Sequence, residues 1–283
     1  MSKKHKGSLI IIGGHEDKDD QEERAILKAV CQRAVKNQGK LVIVTAATQH
    51  PAEVGAEYTK VFQSLGVRQI DLLDIRARED AYRESSIEKI RDASVIFFTG
   101  GDQLRITSQM GDSPVYSCLQ DLYHHGTVIA GTSAGAAAMS ETMLISGASD
   151  RSHKITAIGM APGLGILNGV VIDSHFAERG RFGRLLGAVA QNPKNLGVGI
   201  DENTAIVVNG GESFTVIGSG AVYVVDGTSI TFSSLSEEQA EGILSIYDVR
   251  LHVLGEDDCF DLIHRRPTLD GNPVATTDGT HQA

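Results

Sequence analysis

The chain has 283 residues, 41% hydrophobic and 22% charged, the composition of a globular protein large enough to bury a substantial core. A formal net charge of −10 argues against an electrostatic grip on nucleic acid or an anionic membrane. The widely spaced Cys31, Cys118 and Cys259 make neither a disulfide framework nor a metal-ligand spacing, and no metal or organic cofactor is implied.

The basic residues Lys3, Lys4, His5 and Lys6 precede an apolar run, Leu9–Ile12, that is too short for a signal peptide, and no stretch approaches transmembrane length. A cytoplasmic protein is expected. Short apolar runs predict strands at Ser8–Ile12, Leu41–Thr45, Gln69–Leu73, Val95–Thr99 and Thr127–Ala130. Helical patterns lie between them at Gln21–Asn37, Ala52–Leu65, Ser86–Asp92 and Pro114–His125, while the charged run Arg76–Asp80 reads as solvated surface. This alternation implies an α/β fold with a doubly wound, mostly parallel sheet, whose ligands bind at the carboxyl ends of the strands. Beyond Val170 come a strand to Asp173, a helix at Arg181–Gln191, and short strands at Gly197–Ile200, Thr204–Val208, Ser213–Ile217, Ala221–Val225 and Ile230–Phe232. Glycine-bearing turns between the short strands indicate an antiparallel C-terminal part packed on the same sheet. The expectation is one domain over residues 1–266 and a flexible tail over 267–283.

Thr127-Val-Ile-Ala-Gly-Thr-Ser-Ala-Gly-Ala-Ala-Ala-Met139 carries the strongest chemical signal. A buried strand runs into Gly131-x-Ser133-x-Gly135 and on into an Ala-rich helix, the layout of a nucleophile elbow. The glycines allow strand and helix to approach closely, and the helix start offers free N–H groups to an oxyanion. Such a serine needs a base. His175 directly follows the strand Val170–Ile172 and is favoured from position over His15, which also ends a strand. The acid is Asp201 or Glu202, both after Leu196–Ile200. The alternation of Leu196, Val198 and Ile200 favours Glu202. In Arg179-Gly-Arg-Phe-Gly-Arg184, Phe182, Leu185, Leu186 and Val189 form the core face of the helix, with Arg181 and Arg184 together on another. Cations at a helix start oppose its dipole unless an anion is near. That anion is either a ligand carboxylate or a neighbour such as Glu178 or Asp201.

These pieces, together with Gly13-Gly-His-Glu-Asp-Lys18, Phe98-Thr-Gly-Gly-Asp-Gln-Leu-Arg105, Asp173-Ser-His-Phe176 and Gly199-Ile-Asp-Glu-Asn-Thr-Ala205, resemble the cyanophycinase and dipeptidase E family of serine peptidases. The resemblance spans residues 8 to about 208. It implies a fold like that of class I glutamine amidotransferases, with Ser133 as nucleophile, His175 as general base and Glu202 as acid. The backbone N–H groups of Gly101 and Ala134 would form the oxyanion hole, and Gln103, Asp173, Ser174, Arg179, Arg181 and Arg184 would line the substrate pocket. Ser174 stands where the family's pattern is expected to have a longer amide. The implied substrate is cyanophycin, a polyaspartate backbone with arginine on each β-carboxyl, cut to β-Asp-Arg dipeptides by a homodimeric enzyme. The alternatives are an α-aspartyl dipeptidase and a non-catalytic binding protein on the same scaffold.

Overall fold

A computed structural model describes residues 6–19, 23–146, 158–236, 243–269 and 272–273. His5, His153, His281, the start of the first expected helix and most of the expected tail lie outside these residues.

The first half alternates strand and helix. β1 (Ser8–Ile12), α1 (Ala25–Asn37), β2 (Lys40–Val44), α2 (Pro51–Ser64) and β3 (Gln69–Leu73) come first, followed by α3 (Glu84–Arg91), β4 (Ala93–Phe98), α4 (Gln103–Met110), α5 (Pro114–His124), β5 (Val128–Thr132) and α6 (Ala134–Ala137). A hairpin, β6 (Thr142–Ser146) and β7 (Gly159–Pro162), leads to β8 (Val170–Ser174), α7 (Phe182–Gln191) and β9 (Leu196–Ile200). The rest is β10 (Thr204–Asn209), β11 (Ser213–Gly218), β12 (Val222–Asp226), the pair β13 (Phe232–Ser233) and β14 (Ile246–Tyr247), β15 (Arg250–Leu254), β16 (Cys259–Asp261), β17 (Arg266–Leu269) and β18 (Asn272–Pro273).

The central sheet has the order β18-β17-β16-β11-β10-β1-β5-β4-β2-β3. It is parallel from β1 to β3 and antiparallel from β10 outward, with Leu9 opposite Val208 on one side and Ile129 on the other. Both faces are covered, which is why the strands read as unbroken apolar runs. Ile10, Ile12, Leu41, Ile43 and Phe97 pack against Leu27 and Val30 of α1 and Phe62 of α2. Leu9, Ile11, Val44 and Phe98 face Ile106, Leu119 and the strands of a second sheet.

That second sheet is where the structure departs from expectation. β8, β9, β12 and β15 form their own sheet in the order β15-β12-β9-β8, with β8 and β9 parallel, instead of extending the first. The chain crosses from β9 in one sheet to β10 in the other over Asp201-Glu202-Asn203, so these residues stand where the two sheets meet. The strand expected at Ile230–Phe232 pairs only as β13 with β14. The tail expected from Pro267 begins as β17, Phe260 opposite Pro267.

The charged run Arg76–Asp80 lies at the surface as expected, with Arg76 to Glu79 exposed. It leads into a 3-10 turn, Arg78–Tyr82, in which the Asp80 carboxylate accepts the amides of Arg76 and Ala77 and Ala81 is fully buried. α4 was not expected. The Asp102 side chain caps it by accepting the Leu104 amide at 2.9 Å, and only Ile106 and Met110 anchor it. Two buried residues four apart are too faint a stripe to read as a helix.

Candidate active site

The carboxyl ends of β1, β4 and β5 lie side by side and carry Gly13-Gly14, Gly100-Gly101 and Ser133. The elbow is as tight as its glycines imply. A Cβ on Gly131 would lie 2.6 Å from the backbone of Gly135, and one on Gly135 would lie 2.6 Å from the carbonyl oxygen of Phe98. Ser133 sits at φ 52°, ψ −106°, a region that a residue with a Cβ seldom occupies. The helix behind it is shorter than expected, four residues only. Leu164, Ile166 and Leu167 donate to the carbonyls of Ala138 and Met139, taking the acceptors a longer helix would use. Gly100 and Gly101 bring the β4 loop against the elbow. A Cβ at Gly100 would stand 3.5 Å from that of Ser133, and Gly101, at φ 143°, has no room for one beside Ala47.

Of the two candidate histidines, His175 is the one that meets the serine. Its Nε2 is 2.9 Å from Ser133 Oγ, and its Nδ1 is 2.6 Å from Glu202 Oε1. His15 is exposed at the strand end. A proton on Nδ1 directed at Glu202 leaves the Nε2 lone pair free to accept from the serine hydroxyl. Burial lowers the His175 pKa below 6.5, the nearby Arg179 and Arg181 act in the same sense, and the bond to Glu202 opposes them. The imidazole is thus held neutral at pH 7, the form able to take a proton.

Glu202 reaches the ring because the chain turns after β9, so the strand alternation that favoured it is not what places it. Asp201, the alternative acid, serves the backbone instead. It is buried, its carboxylate accepts the amides of Ala177 and Ala221, and burial raises its pKa. Through Ala177 it secures the turn that carries His175. Glu178 accepts the backbone amide of Glu202. Gly14, within the Gly13–Lys18 piece of the resemblance, lies under the imidazole. A Cβ there would stand 2.5 Å from His175 Nε2.

The arginines meet an anion within the chain. Asp173 is 1% exposed, and Arg184 grips it with two nitrogens, Nε at 2.6 Å, while Arg181 Nη1 lies 3.2 Å away. Arg181 also donates to the carbonyl of Ser174, which is itself buried. The partner is therefore Asp173, and neither Glu178 nor Asp201. Arg179 is exposed. Gln103 opens α4 and donates to the carbonyl of Leu144 at 2.7 Å. Phe182 is 39% exposed instead of in the core, its ring edge-on to Phe176. Among the described residues no three His, Cys, Asp or Glu side chains cluster as metal ligands would.

The profile of Peptidase family S51 matches residues 9–216. The chain belongs to peptidase family S51. Within reach of that family, it is 36% identical to a cyanophycinase of Synechococcus elongatus over 91% of this chain and 80% of the relative. It is also 36% identical to a cyanophycinase of Trichormus variabilis over 92% of this chain and 87% of the relative. The fold is similar to the crystal structure of a peptidase from an acI-B1 Actinobacterium, with a TM-score of 0.69 at 20% identity over 92% of this chain and 98% of that one. As an S51 member the chain is a peptidase, and the stretch matched by the family contains all the elements that carry Ser133, His175 and Glu202. No helix among the described residues is long and apolar enough to cross a membrane.

Proposed function

We propose that this peptidase is of the serine type and releases β-Asp-Arg dipeptides from cyanophycin. The observation that carries the reading is the continuous line from Ser133 Oγ to His175 Nε2 at 2.9 Å and from Nδ1 to Glu202 at 2.6 Å. Ser133 attacks the α-peptide carbonyl, His175 takes the hydroxyl proton, and Glu202 stabilises the imidazolium. The amides of Gly101 and Ala134 receive the oxyanion, His175 returns the proton to the leaving amine, and water hydrolyses the acyl-enzyme.

The substrate is zwitterionic, and the cluster beside His175 suits it. One carboxylate, Asp173, is shared between Arg181 and Arg184, so the floor keeps a net positive charge toward the substrate's carboxylates. Arg179 is an exposed fork on the same segment, and the Ser174 carbonyl is held by Arg181. The names of the relatives support the choice of polymer. A homodimer, the state implied by the resemblance, belongs to the same reading.

Incubation with purified cyanophycin, with the soluble product identified by mass, tests this directly. The expected product is β-Asp-Arg, formed by the wild-type chain and not by Ser133→Ala. Faster hydrolysis of Asp-Leu than of the polymer would instead make the chain an α-aspartyl dipeptidase.

A further inference from the structure

Glu16 is not part of the line of Ser133, His175 and Glu202, yet it is a carboxylate only 4% exposed, in the loop after β1. A carboxylate is rarely buried unless it is hydrogen-bonded, and both oxygens of this one are used. Oε2 accepts the Thr132 hydroxyl at 2.6 Å, and Oε1 accepts the phenol of Tyr58 on α2. Burial, reinforced by Glu16, pushes the Tyr58 phenol pKa up, so Tyr58 stays a donor. Its ring is itself pinned, 4.7 Å from that of Phe97 and with the Lys18 ammonium 4.4 Å from its centre.

Thr132 is the last residue of β5, and its neighbour Ser133 holds a backbone conformation that persists only if its flanks are fixed. The stretch that runs from the end of β1 into that loop also binds Ser133 itself, since the Ser133 amide donates to the carbonyl of Ile12 at 3.0 Å. It also reaches the other two members. The His175 amide donates to Gly13 at 2.7 Å, and the amide of Asn203, next to Glu202, donates to Gly14 at 2.9 Å. Residues 12–16 therefore tie together three segments that come from two different sheets.

We propose that Glu16 is a positioning residue, which through the Thr132 hydroxyl fixes the end of β5 and so aims Ser133 Oγ at His175. It touches no reacting atom. The proposal goes beyond the assignment of Ser133 as nucleophile and rests on it. A purely structural Glu16 would serve only to anchor α2 to the sheet, and that task runs through its other oxygen, to Tyr58. The two bonds can be cut separately.

The test is the rate at which a fluorophosphonate probe labels Ser133, with thermal melting followed in parallel. Thr132→Val, which keeps the shape and removes the hydroxyl, is expected to slow labelling about tenfold or more, because a small error in aim is costly. Thr132→Ser is expected to restore it to near the wild-type rate. Tyr58→Phe is expected to lower the melting temperature and leave labelling unchanged. Should Thr132→Val not fold, Thr132→Ala replaces it in the comparison with Thr132→Ser. Labelling of the hydroxyl-free variant at the wild-type rate overturns the proposal, as does equal slowing by Tyr58→Phe. A wild-type chain that is not labelled at all overturns the nucleophile assignment, and this proposal with it.

Discussion

At the scale of single residues, the site is a matter of clearance and charge. Gly14 leaves room for the imidazole, since a Cβ there would fall 2.5 Å from His175 Nε2. Its φ of 109° is also one that side chains rarely adopt. Gly14→Ala is therefore expected to cut turnover by about a hundredfold while the fold survives, since misplacing a catalytic group by about 1 Å has that effect. Steady-state kinetics with a circular-dichroism control measures it. Charge sets the pH range. Only neutral His175 can take the serine proton, and its pKa lies below 6.5, chiefly through burial. Ser133 labelling is thus expected to be level near pH 7 and to fall as pH drops through a midpoint below 6.5. Arg179→Ala removes a cation that disfavours the imidazolium, so it should move that midpoint upward. A wild-type midpoint above 6.5 would contradict this reading. At this scale the meeting of Ser133 and His175 was legible from the strand ends they follow, whereas Glu202 was favoured over Asp201 by an alternation that the turn after β9 breaks. Gly14, Asp201 and Glu16 were not legible, because their parts depend on contacts between segments far apart in sequence.

At the scale of elements, β5 pairs with β4 along a parallel ladder, and α6 comes against the end of β4 at Gly135. Gly135→Ala would drive a methyl into the carbonyl of Phe98 and is expected to destabilise the fold by about 1–3 kcal/mol, read from urea unfolding. β8 and α7 are joined by charge. Asp173 is the last residue but one of the strand, and Arg181 and Arg184 flank the helix start, where cations alone would be unfavourable. Asp173→Ala leaves a nine-tenths buried Arg184 unpaired, at an expected cost of about 3–5 kcal/mol by the same measurement. Little change in unfolding midpoint would show that the arginines find other partners. β1, a strong apolar run, was legible to the residue, and so was the more polar β3. α4 was not, because a side-chain cap and two buried residues define it, and neither gives a strong period.

At the scale of the whole molecule, the serine belongs to one sheet and the histidine to another. Ser133 follows β5 of the central sheet, His175 follows β8 of the second, and Glu202 lies on the crossing between them. The α/β layout and the order of the motifs could be read from the chain. The split into two sheets could not, since apolar alternation tells which face of a strand is buried and not which strand it pairs with. The account depends on this meeting of sheets making Ser133 Oγ a nucleophile. Mapping the adduct of a serine-directed fluorophosphonate by peptide mass spectrometry tests that claim most directly. The account predicts a single modified residue, Ser133, with labelling lost in His175→Ala. Modification elsewhere, or labelling of Ser133 that survives the loss of His175, would contradict it.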